Sequence, residues 1–69
     1  MTYEDRIEQQ LLEARRELEA AVQGLNAGTE AARVRYGRAL HEAEIAERLA
    51  QRQAREQRHH QRSWSLVAG

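Results

Sequence analysis

Apolar residues recur at Ile7, Leu11, Ala14, Leu18, Ala21 and Leu25, in alternating steps of four and three, with charged and polar residues between them. That period puts six side chains on one stripe of an α-helix, so the first third of the chain is built to lie against another helix. Thr2 stands where an N-cap would, and Asp5 follows three residues later as a near capping box. Glu4 and Asp5 also suit the positive end of the helix dipole. Gly24-Leu25-Asn26-Ala27-Gly28 gathers turn-forming residues, with Gly24 expected as the left-handed stop and Leu25 folding back over the hairpin end. Thr29 is a second N-cap with Glu30 behind it. No breaker follows before Ser63-Trp64-Ser65, although Gly37 lowers helix propensity. The pattern predicts an all-α antiparallel hairpin: a short helix over about 3–23, a turn over 24–29 and a long helix over about 30–62, the arms roughly 30 Å and 50 Å long. Residues 1–62 would form the hairpin, and 63–69 a short apolar C-terminal tail.

Folding the arms about Asn26 and Ala27 sets Leu18 near Val34 and Tyr36, Ala14 near Ala39, Leu11 near Ala43, Ile7 near Ala46 and Tyr3 near Ala50. Large residues on one helix then meet small ones on the other, which lets two helices approach closely. This pairing leaves over Leu12 on the first helix and Val34, Leu40, Ile45 and Leu49 on the second. Burying each fully would contribute roughly 1.5–3 kcal/mol. Those five residues are therefore the expected interface, either for a homodimer forming a four-helix bundle or for a groove on another protein.

Composition sharpens this picture. A chain of 69 residues buries too little surface to be comfortably stable alone, which again points to association. There is no cysteine for a disulfide or a thiolate metal site, no apolar run long enough to cross a bilayer, and nothing near Met1 resembling a signal peptide. A cytoplasmic chain without a membrane partner is the expectation. Twelve alanines and no proline reinforce the helical reading.

Eleven arginines balance eleven acidic residues, with no lysine. The balance is uneven along the chain: residues 51–69 hold Arg52, Arg55, Arg58 and Arg62 against Glu56 alone. These arginines, with Trp64 after them, are the candidate partner-recognition end, because the shorter first helix would not reach them. Overall neutrality and the lack of aromatics among the arginines rank an acidic protein surface ahead of nucleic acid as their target. The bland reading is a solvated helix end whose charge suits the dipole. Adjacent His59 and His60 would point about 100° apart on a helix, and His41 lies far along it, so no metal site is expected. No cofactor and no catalysis are expected either. The chain has no glycine-rich phosphate loop and no nucleophile beside a base, and too little chain to enclose a pocket.

The Leu18 to Leu25 end of the first helix, the Gly24 to Gly28 turn, Tyr36 with Leu40, and Ala43-Glu44-Ile45 with Leu49 give a plan that resembles the small helical-hairpin co-chaperones of type III secretion needle subunits. The arginine end and Trp64 depart from that plan. In size the chain is also similar to phage-encoded inhibitors of host proteins. Both resemblances imply a stoichiometric protein-binding role. The expected function is a non-enzymatic adaptor, co-chaperone or regulator, with a nucleic-acid-associated regulator and a phage-type inhibitor as alternatives.

Overall fold

The computed structural model describes the backbone of residues 2–68 and the side chains of residues 2–58. Helix α1 spans Tyr3–Gly24, a 3-10 turn covers Leu25–Ala27, and α2 spans Glu30–Ala68. The helices pack against each other as an antiparallel hairpin, and no strand occurs among the described residues. Both N-termini are capped as their sequences require. Asp5 N–H donates to Thr2 Oγ1 at 3.2 Å, and Thr2 N–H donates to Asp5 Oδ2 at 3.3 Å, completing the capping box. Ala32 N–H donates to Thr29 Oγ1 at 3.1 Å.

Two expected boundaries move. Gly24 is right-handed, at φ −63° and ψ −21°, and the chain continues past it through the 3-10 turn. The left-handed residue is Gly28, at φ 67°, whose N–H donates to the Leu25 carbonyl at 3.0 Å. Leu25 therefore extends the helical path, half-buried, rather than folding back from it. At the other end α2 runs beyond 62 to Ala68, because serine and tryptophan weaken a helix by only tenths of a kcal/mol and neither glycine nor proline intervenes before Gly69.

The later reversal shifts the register. Gln53 Nε2 donates to Glu4 Oε1 at 3.5 Å, and these residue numbers sum to 57. The Arg15–Glu47 and Glu17–Arg35 pairs sum to 62 and 52, five to either side. Facing layers thus sum to about 57 rather than the 53 expected from a fold about Asn26 and Ala27. The difference is one helical turn. Leu25 stands level with Ala32, Ala21 with Tyr36, Leu18 with Ala39, Ala14 with Ala43, Leu11 with Ala46 and Ile7 with Ala50. The expected alternation of large with small survives, with the partners changed. Ile7, Ala21, Ala39 and Ala43 are buried, and Leu11, Ala14, Leu18, Tyr36, Ala46 and Ala50 half-buried. Tyr3, expected against Ala50, is exposed. On α2 the covered positions 32, 36, 39, 43, 46, 50 and 53 repeat the alternation of four and three. This is the antiparallel coiled-coil pattern, with both alignments of close-packed layers set by small residues.

Candidate functional site

A two-helix layer 59 × 20 × 13 Å across buries one stripe per helix and leaves two broad faces to solvent. The expected interface residues divide between them. Ile45 and Leu49 line one groove with Gln10, Glu13 and Ala14, and the adjoining groove holds Val34, Ala31, Arg38 and Glu17; Glu42 belongs to both. The opposite groove is lined by Leu40 with Arg15, Leu18, Ala43 and Glu47. At about 100° per residue, Leu12 projects to the same side as Leu40. Projection of α2 at about 100° per residue sets Val34, Ile45 and Leu49 on one flank of the alanine stripe and Leu40 on the other. The grooves keep that division, and the hairpin adds Leu12 to the Leu40 side.

The degree of burial also differs. Val34 and Ile45 are 55% and 48% exposed, and Leu12 is similarly open. Leu40 and Leu49 are already half-buried against α1, since they flank the stripe directly. Val22, unremarked in the periodic pattern, is also exposed and at about 100° per residue projects to the Leu40 side. Its signal was a β-branched apolar residue one position past the buried Ala21.

Among the described residues each face carries one cross-helix ion pair. On the Ile45 face the Arg35 guanidinium grips Glu17 through two hydrogen bonds, Nε to Oε2 at 2.8 Å and Nη2 to Oε1 at 2.9 Å. On the Leu40 face Arg15 donates from Nε to Glu47 Oε1 at 3.2 Å, with a second bond from Nη2 to the same oxygen. The hydrogen bond from Arg35 is the largest influence on the Glu17 carboxyl and, joined by the Arg35 charge, lowers it from its ordinary value against the opposing effect of desolvation, and Glu17 in turn raises Arg35. A lowered folded value means that the unfolded chain binds more protons in this window, so the stabilisation is present above the ordinary carboxylate range and is lost as pH falls through the folded value. Glu17→Gln is accordingly expected to lower the thermal midpoint at neutral pH, and its difference from the parent protein to shrink at a pH well below the ordinary carboxylate range. Equal differences at both pH values in calorimetric scans would contradict this.

At the basic end, Arg52, Arg55 and Arg58 are exposed, and none forms an ion pair among the described residues. They spread over an arc of about 120° on the outer side of α2. The shifted register also carries α1 as far as Gln53, which is half-buried. The uncovered stretch thus begins near Arg55 rather than at Gln51. Arg62, Trp64, His59 and His60 lie outside the described side chains. Among the described residues no group of three His, Cys, Asp or Glu could hold a metal ion, and no helix is long and apolar enough to cross a membrane. No family model, curated protein or solved structure matches the chain.

Proposed function

We propose that the hairpin is a small, non-enzymatic protein-binding module of the cytoplasm, an adaptor, co-chaperone or regulator that acts stoichiometrically through helix–helix contacts. One observation carries this reading: Val34 and Ile45 on one face, and Leu12 and Val22 on the other, remain exposed after the two helices have packed. An apolar face of this kind is stabilised by covering it, and among the described residues no third element lies against it. The shallow grooves offer side walls for another helix rather than an enclosure for a small substrate.

The exposed Arg52, Arg55 and Arg58 support a second reading, a nucleic-acid-associated regulator. The two separate cleanly. Affinity measurements against duplex and single-stranded DNA and RNA at about 50 mM salt are expected to show no binding, while retention of a specific protein from the source cells is expected to be lost with Ile45→Glu or Leu12→Glu. Both substitutions are at exposed positions, so helical content by circular dichroism should stay unchanged. Nucleic-acid affinity that falls steeply with salt and disappears on changing the three arginines to alanine, with both face variants unaffected, would replace the protein-binding reading.

A further inference from the structure

The Ile45 face of α2 carries a pattern that its own hairpin does not use. Arg38, Glu42, Ile45, Leu49, Arg52 and Glu56 follow one another in steps of four, three, four, three and four, so they form a second stripe about a quarter-turn from the buried one. Read in reverse beside itself, this stripe is self-complementary. Arg38 meets Glu56, Glu42 meets Arg52, and Ile45 meets Leu49, each pair occurring twice about a centre at the level of residue 47. Charges at neighbouring turns of one helix commonly pair with each other, as Glu44 and Arg48 do here at 3.8 Å. Arg38, Glu42, Arg52 and Glu56 form no ion pair among the described residues. They are exposed and flank the apolar centre on both sides.

We infer that a second copy of this chain docks on the Ile45 face, α2 antiparallel to α2 of the second copy about a two-fold axis at the level of residue 47. This rests on the reading of the hairpin as a protein-binding module and names its partner and register. The fold supplies an independent check, because such an axis also stacks α1 on α1 of the second copy. In the hairpin register, residue 47 stands level with residue 10. Gln10 therefore meets its own copy, and Arg6 falls within a residue of the level of Glu13 of the second copy. No like charges are brought together on either helix, as an isologous contact requires. The area suffices: a stripe about 28 Å long at 1.5 Å per residue on a face 20 Å wide covers on the order of 1,100 Å² over both copies, above the roughly 1,000 Å² that marks specific contacts.

Charge exchange tests the register. Residues 42 and 52 are too far apart on one helix to pair with each other, so only contact between copies couples them. In sedimentation equilibrium up to about 200 µM, the full chain is expected at the mass of two copies. Glu42→Arg and Arg52→Glu should each weaken association at least about tenfold, by setting like charges opposite one another at two symmetric places. The double variant, with the charges exchanged, should return to within about threefold of the parent. The Arg38→Glu and Glu56→Arg set should behave alike, and circular dichroism should show all variants helical. A double variant no better than either single one in both sets overturns the pairing. So does a parent protein of single-chain mass throughout, and if its specific protein partner is still retained, the protein-binding reading stands without this interface. Nucleic-acid affinity carried by the arginines would instead overturn that reading itself.

Discussion

Ala21→Leu is expected to lower the thermal unfolding midpoint by roughly 4–20 °C, whereas Ala20→Leu, one residue away, leaves it almost unchanged. Ala21 has none of its surface exposed and stands level with Tyr36, the largest side chain of the α2 stripe. An alanine opposite the tyrosine sets the spacing of the helices near the turn. Three added carbons must either push the helices apart or move Tyr36, and overpacking of this kind costs about 1–3 kcal/mol. For 69 residues the whole folding free energy is on the order of 3–10 kcal/mol, so the loss is a large fraction of it. Ala20 is exposed on the outer turn, and leucine is nearly as good a helix former as alanine. Equal effects at the two positions, followed by calorimetry or circular dichroism at one fixed protein concentration, would show that the contact stripe does not run through Ala21.

The stripe from Ile7 to Leu25 was legible because each of its residues repeats one signal, an apolar side chain at helical spacing. The cap at Thr2 was legible for the same kind of reason, since Thr2 and Asp5 act within one turn of chain. The register was not, because it depends on a single backbone torsion. Gly24 and Gly28 are both reasonable stops from sequence, and in the structure Gly24 stays right-handed while Gly28, past the 3-10 turn, takes the left-handed conformation. Two residues of displacement in the turn become four in the pairing, so Ala14 lies level with Ala43 instead of Ala39. The candidate surface was legible in part. Spacing along α2 alone sets Val34, Ile45 and Leu49 on one flank of its stripe and Leu40 on the other, but which flank Leu12 joins depends on where α1 lies. Once the register is set, Leu40 and Leu12 fall on one face and Ile45 and Leu49 on the other.

The same torsion gives the second large effect. Gly28→Ala is expected to destabilise the hairpin by about 1–2 kcal/mol, the usual penalty for placing an L side chain in a left-handed conformation. An added Cβ at Gly28 would meet no atom within 4 Å, so the penalty is one of backbone conformation and not of crowding. A synthetic chain with D-alanine at position 28 should consequently gain about 0.4–1 kcal/mol, because it restricts the unfolded chain without straining the folded one. Gly37→Ala should likewise gain roughly 0.5–1 kcal/mol, since Gly37 is helical, exposed and open around its Cβ position. Urea unfolding orders the three, with L-alanine at 28 below the parent protein and the other two above it. Spin labels at the exposed Arg16 and His41, level with each other across the hairpin, give the geometric complement: about 20 Å for the hairpin, against about 38 Å for one continuous helix at 1.5 Å per residue. If L-alanine at 28 proved neutral and the label distance lengthened, the chain would have straightened through the turn, α1 and α2 would each need a partner from another copy, and the Ile45 face would no longer be the surface left over.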